Sequence, residues 1–205
     1  MTVLVPTMGS LHRGHQALIK RARELSKDVI VSIFVNPLQF ENKEDLEKYP
    51  RSPQLDIELA TLAGATEVWF PEYEDIYPGA IETLSAGSIG SLYEGESRPA
   101  HFDGVLTVVN RLFEMVKPTH AVFGEKDYQQ LFLIKKIAKK VEIISVPTVR
   151  SGSGLALSSR NIRLSESERE WASIISNALT TASIENDVAL AQRRLDEVLE
   201  QEKAF

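Results

Sequence analysis

Two histidines three residues apart, His12 and His15, flank Gly14 where the first apolar run gives way to the first helical pattern. Histidines at i and i+3 in a helix entrance can face the same way, and a glycine between them lets an anion approach closely. The first N–H groups of such a helix and its positive end favour negative charge, so a triphosphate is a natural ligand. The alternative is a pair of surface histidines beside a turn; the strand before them and the helix after them favour the anion site. A zinc site fits poorly, because no third His or Cys lies nearby.

Three other groupings carry polar chemistry at loop positions. Asn36 and Gln39, in Phe34-Val35-Asn36-Pro37-Leu38-Gln39-Phe40, offer neutral amides to hydroxyl and carboxylate oxygens, although Asn36-Pro37 also reads as a turn start. Lys126, in Gly124-Glu125-Lys126-Asp127-Tyr128-Gln129-Gln130, follows an apolar run and sits where a cation meets phosphate, with Gln130 further along. Ser158, Ser159, Arg160 and Asn161 gather two hydroxyls, a guanidinium and an amide, a composition suited to closing over phosphate or to a polar linker. Arg98 and His101 make a further basic pair in an irregular stretch.

These residues need a scaffold, and the apolar pattern supplies one. Short β-branched or apolar runs at 2–5, 29–35, 66–70, 120–123 and 141–146 read as strands, several of them ended by Pro or Gly. Helical spacing follows at 16–26, 55–62, 105–116 and 128–139, with Leu55, Leu59 and Leu62 lining one face of the second. A helical turn is expected over 43–48, and an outlying strand over 81–86. Alternation of this kind predicts a doubly wound parallel sheet, whose ligands bind beyond the carboxyl ends of the strands, where the marked turns fall. After residue 150 the pattern changes: Ser151-Gly152-Ser153-Gly154 reads as a hinge, 155–163 as a polar loop, and Ser165 to Phe205 as two helices opened by a capping box at Ser165 and Glu168. The expected domains are 1–150 and 151–205.

The chain has 205 residues, no cysteine and a formal net charge of -6. That acidity disfavours nucleic acid as a partner, and the absence of cysteine excludes disulfides and thiolate chemistry and fits the cytoplasm. No apolar run reaches the roughly 18 residues of a membrane span, and no signal pattern opens the chain, so no membrane is expected.

Taken together, the motifs closely resemble those of the pantothenate synthetase (pantoate-β-alanine ligase) family of the H-x-G-H nucleotidyltransferase superfamily. The resemblance runs in consistent order from Val3 to Leu164 and rests on Pro6-Thr7-Met8-Gly9, His12-x-Gly14-His15, the stretch 34–40, Tyr49-Pro50-Arg51, Arg98-Pro99-x-His101-Phe102-x-Gly104-Val105, the stretch 123–130, and Gly154-Leu155-Ala156-Leu157-Ser158-Ser159-Arg160-Asn161. It implies a Rossmann-like domain for ATP and pantoate, a smaller C-terminal domain, a homodimer, and magnesium accompanying ATP. The implied reaction forms pantoyl adenylate and pyrophosphate, after which β-alanine displaces AMP to give pantothenate.

Carried over by position, Met8, Gly9, Ser10, Leu11, His12, Arg13, Gly14 and His15 line the ATP site, with His15 as proton donor and His12 nearby. Gly124, Glu125, Lys126 and Asp127 hold ATP, Val149 borders the nucleotide, and Leu157, Ser158, Ser159 and Arg160 close over it. Gln39 and Gln130 bind pantoate, with Gln39 also near β-alanine. Ser153 stands where the family commonly has aspartate, and against the family pattern the C-terminal domain is expected to be truncated. The rival readings are a nucleotidyltransferase with another acceptor and a nucleotide-binding module without turnover. A tRNA synthetase fragment is disfavoured by the acidity.

Overall fold

The computed structural model describes residues 1–201, and the chain divides into two compact units, Met1–Pro147 and a second beginning at Thr148. In the first unit, β1 (Thr2–Thr7) leads through a five-residue turn to α1 (Arg13–Leu25) and β2 (Asp28–Ile33). A 3-10 turn at Pro37–Gln39, α2 (Lys43–Glu47) and α3 (Pro53–Ala63) precede β3 (Glu67–Trp69). Then come the short α4 (Tyr73–Ile76) and α5 (Glu94–Ser97), the long α6 (His101–Val116), β4 (His120–Gly124), α7 (Tyr128–Ile137) and β5 (Glu142–Val146).

All five strands pair in parallel in the order β3-β2-β1-β4-β5. This is the doubly wound, Rossmann-like sheet the pattern predicts. Each strand is apolar almost throughout, because alternate residues serve opposite faces. Val3, Val5, Val29, Val31 and Val122 pack with Ile19, Ala22, Ala60 and Ala63 of α1 and α3. Leu4, Ala121 and Phe123 pack with Leu106, Val109, Leu112, Leu131 and Ile134 of α6 and α7. At about 1.5 to 3 kcal/mol for each fully buried aliphatic side chain, these two layers dominate the stability of the unit.

Two expectations are corrected and one is sharpened. Of the leucine face of α3, Leu59 packs against the core, whereas Leu55 and Leu62 are 49% and 72% exposed and the fully buried residues are Asp56, Ala60 and Ala63. Small alanines let α3 lie close to its neighbours, and that approach carries Asp56 inward. Residues 81–86 form no strand: the Leu84 and Ala86 N–H groups donate to Thr107 Oγ1 and Asp103 Oδ1 on α6, so the segment runs along a helix and not a sheet edge. The helix read from residue 16 begins at Arg13, because His12 itself caps it.

In the second unit, 151–154 is the tip of a small hairpin and not an open hinge. Ser151 N–H donates to the Leu155 carbonyl at 2.8 Å, Leu157 N–H donates to the Val149 carbonyl at 2.9 Å, and Arg150 bridges Ala156. A 3-10 turn at Ser159–Arg163 leads to α8 (Glu166–Ala182), opened by the expected capping box of Ser165 and Glu168, and then to α9 (Val188–Gln201), which packs on α8. The last four residues of the second expected helix lie outside the described residues.

Candidate active site

In the order β3-β2-β1-β4-β5, the winding reverses between β1 and β4, and the turns leaving these two strands carry the histidines and Lys126. Leu18 of α1 lies 3.8 Å from the position a Gly124 Cβ would take, so α1 packs directly beside the end of β4.

His12 and His15 form an unusual capping box. His12 Nδ1 accepts from Gly14 N–H at 3.1 Å, and His15 Nδ1 accepts from His12 N–H at 3.3 Å. A ring nitrogen that accepts cannot carry the proton, so both neutral imidazoles hold it on Nε2 and keep one N–H donor beyond the cap. The rings lie 4.1 Å apart between centroids. Burial first, then the neighbouring His12 and Lys126 charges, push the His15 pKa down to about 3. Burial and Lys126 lower that of His12 as well. Near neutral pH both rings are therefore uncharged hydrogen-bond donors beside a lysine.

The backbone of this turn is spoken for from within. Gly9 N–H donates to Thr7 Oγ1 at 3.3 Å, Ser10 and Leu11 N–H to the Asp56 carboxylate at 3.0 and 2.7 Å, and Gln16 N–H to the His12 carbonyl at 3.0 Å. With the His12 and Gly14 amides closing the capping box, the anion-binding capacity of the turn passes largely from backbone to side chains. Gly9 adopts φ +83°, and a Cβ there would stand 3.0 Å from both Asp56 Oδ2 and Ile33 Cγ2. Only glycine fits this position without strain.

The amide group beyond β2 is built around Asn36, which is 1% exposed. Its Nδ2 donates to Gln39 Oε1 at 3.2 Å and to the Gly104 carbonyl at 3.0 Å; its Oδ1 accepts from Leu38 N–H at 3.3 Å and from Tyr77 OH at 2.9 Å. Every hydrogen-bonding site of Asn36 is used inside the fold, so it orients Gln39 instead of offering an amide to a ligand. Gln39 Nε2 in turn lies 3.0 Å from Met8 Sδ. His101, buried, donates from Nδ1 to the Gln39 carbonyl at 2.9 Å, and burial lowers its pKa despite that bond. The expected basic pair is thus divided: His101 braces the Gln39 turn, while Arg98 pairs with Glu94 at 2.6 Å. Gly104 permits the close packing, since a Cβ there would meet the Leu38 carbonyl oxygen at 2.3 Å.

In the turn after β4, Lys126 Nζ is 3.2 Å from Asp127 Oδ1, on a side chain 39% exposed. Glu125 accepts from Ser145 Oγ at 2.9 Å, tying the turn to β5. Gln130 is half-buried in the first turn of α7, without a hydrogen-bond partner among the described residues. The first unit therefore unites Met8 with Gln39, and His12 with His15 and Lys126. In the second unit, Val149 and Leu157 close the hairpin, and Ser158 Oγ caps the following turn by accepting from Arg160 N–H at 3.2 Å. Ser159 there is buried.

Asp56, Tyr77 and Gly104 are not marked as chemistry-bearing by their local sequence. Asp56 has one available signal: it falls four and seven residues before Ala60 and Ala63, on the small-residue stripe of its helix.

The family model for pantoate-beta-alanine ligase matches residues 1–205. The chain belongs to the pantoate-beta-alanine ligase family. A pantothenate synthetase from Nocardioides sp. is 48% identical over 206 residues, covering 95% of this chain; the chain spans 61% of that relative's length. The crystal structure of pantothenate synthetase from Thermus thermophilus superposes with a TM-score of 0.90 at 44% identity, covering 98% of this chain and 76% of its own. The pantoate-beta-alanine ligase of Francisella tularensis, solved with beta-gamma ATP and beta-alanine, gives 0.84 at 40% identity, covering 96% of this chain and 77% of its own.

Proposed function

We propose that this chain is the ATP-dependent ligase that joins pantoate to β-alanine through a pantoyl-adenylate intermediate. The observation that carries this reading is the grouping of His12, His15 and Lys126 at the reversal of the sheet, in a unit that also holds a braced Gln39. Family membership and the ATP and β-alanine named for the Francisella enzyme support it.

In the first step a pantoate carboxylate oxygen attacks the α-phosphorus of ATP, and the bond from that phosphorus to the pyrophosphate oxygen breaks. In the second, the β-alanine amine attacks the acyl carbon, expels AMP and loses a proton. Neither step requires a protein nucleophile. The work is alignment and charge stabilisation, with alignment worth about 7 to 11 kcal/mol and one well-aimed donor about 3 to 4. Lys126 and the Nε2–H groups of His12 and His15 meet the phosphates, and Gln39 and Gln130 orient pantoate. Met8 to His15, Gly124 to Asp127 and Val149 border the nucleotide, and Leu157 to Arg160 close over it. His15 acts first as a neutral hydrogen-bond donor; a polyphosphate beside it raises its proton affinity, which fits a role in passing a proton to the departing pyrophosphate.

Magnesium enters with ATP as part of the substrate. Among the described residues no group of three or more His, Asp or Glu is placed to hold a metal. We place the enzyme in the cytoplasm, which the absence of cysteine fits, and as a homodimer, which the sequence resemblance implies. Among the described residues no helix is long and apolar enough to cross a membrane.

The test is ATP turnover with pantoate, with and without β-alanine, following pyrophosphate and AMP. Pantoate-dependent pyrophosphate release without β-alanine supports the adenylate. Release that ignores pantoate assigns another acceptor, and ATP binding without release assigns a nucleotide-binding module.

A further inference from the structure

The histidine turn is held by a carboxylate that the steps above do not use. Asp56, in the first turn of α3, is 1% exposed. One oxygen accepts from Ser10 N–H at 3.0 Å; the other accepts from Leu11 N–H at 2.7 Å and Ser52 Oγ at 3.1 Å. Gly9 and Ser10 both have positive φ, +83° and +51°, a turn that presents successive N–H groups to one point. Such a concavity favours an anion, and here the anion is a side chain from 45 residues further along the sequence.

Leu11 immediately precedes His12, whose backbone N–H and ring together close the capping box with His15 and Gly14. Fixing the Ser10 and Leu11 amides therefore fixes where α1 begins and how both rings are presented. It also occupies both N–H groups, so that neither points an unshared donor at a ligand.

Resting on the reading of the histidine turn as a polyphosphate site, we propose that Asp56 is a positioning residue for adenylation. It is a built-in anion that fills the turn's amide concavity, sets the register of His12 and His15, and leaves incoming phosphate to the histidine and Lys126 side chains. Ser52 supports Asp56 but does not touch the turn amides.

The test uses the full chain without ligand. Asp56→Asn keeps size but turns one oxygen into an N–H donor, so it cannot satisfy both amides. Nitrogen-15 NMR of the imidazoles across pH is expected to show Nε2–H tautomers for both rings in the parent protein. In Asp56→Asn the expectation is mixed tautomers, with titration moved about one pH unit or more toward the ordinary histidine value. Ser52→Ala should leave both unchanged. In pantoate-dependent pyrophosphate release, kcat should fall about tenfold or more while KM for pantoate stays nearly constant, since Gln39 is held by a separate set of bonds. A lower melting temperature with parental tautomers, titration and kcat would make Asp56 merely structural and overturn the proposal. If Asp56→Asn does not fold, Asp56→Ala is refolded with and without formate: formate-dependent return of the parental imidazole spectrum supports the proposal, and no return overturns it. The NMR result stands apart from the ligase reading, which fails by itself if the parent protein releases no pantoate-dependent pyrophosphate.

Discussion

The turn between β1 and α1 and the hairpin at 149–157 are both polar, glycine-containing and central to the proposed chemistry, yet the hydrogen bonds that define their shapes differ in reach. The first is anchored by two distant groups, a buried carboxylate on α3 and a backbone pairing from Phe34 N–H to the Thr7 carbonyl at 3.0 Å, to which the two rings add a local capping box of their own. The bonds described for the second are short-range, among them Ser151 to Leu155, Leu157 to Val149 and Asn161 Nδ2 to the Ala156 carbonyl at 3.0 Å. A site for charge stabilisation benefits from the first kind, because preorganised donors need no rearrangement as the reaction proceeds. The proposed closing of 157–160 over the nucleotide would use a segment whose hairpin bonds are self-contained, so that it can move as a piece.

The largest expected effect tests the chemical half of this contrast. His15→Ala and Lys126→Ala should each lower pantoate-dependent pyrophosphate release by about a hundredfold to a thousandfold, some 3 to 4 kcal/mol, with the far-ultraviolet circular dichroism unchanged. Parental rates would remove these side chains from the mechanism. Next in size, Gly104→Ala forces a methyl group against the Leu38 carbonyl and should destabilise the first unit by about 1 to 3 kcal/mol in urea titration. An unchanged midpoint would show that the Gln39 turn yields more easily than its packing implies.

Acid should expose the histidine turn selectively. His15 stays neutral in the folded chain down to about pH 3, while the unfolded chain protonates it near its ordinary 6.5. Between those values the unfolded state binds more protons, so stability falls as pH falls, by up to about 1.4 kcal/mol per pH unit for this ring, and His12 adds in the same direction. Urea midpoints at pH 7, 6 and 5 check the slope, which His15→Gln should reduce. The smallest effect belongs to the second unit: Ser158→Ala removes a cap on a single 3-10 turn and should cost about 0.5 to 1 kcal/mol of local stability. Faster amide exchange at Arg160 would register it, and unchanged exchange there would show that the Ser158 cap holds nothing.

Much of the fold is readable because each strand is a dense apolar run bounded by breakers, and a buried parallel sheet needs little else. Where the pattern misleads, geometry overrules local preference. Leucines outrank alanines on any hydrophobic scale, yet in α3 only Leu59 of the three packs on the core, while Ala60 and Ala63 are buried deeper on the face that carries Asp56 to the histidine turn. Histidine is not a customary cap, so the apolar spacing places the start of α1 three residues late. Ser-Gly-Ser-Gly looks flexible in any window, but cross-strand bonds on either side make it a hairpin tip. His12, His15, Gln39 and Lys126 declare themselves by residue type and position after strands. Asp56, Asn36 and Tyr77 act through folded neighbours, so their roles have no local signature.

The strand order has a consequence for how the site comes into being during synthesis. β1 sits at the centre of the sheet, but its second neighbour is β4, and Thr119 reaches back to the Thr2 carbonyl across 117 residues. At ordinary elongation rates that interval lasts on the order of ten seconds. Throughout it β1 can pair with β2 while its other edge, beside the histidine turn, has no strand to meet. The last strands to emerge seal that edge and bring Lys126 to the histidine turn, so the completion of the candidate site and the protection of a sticky sheet edge are one event.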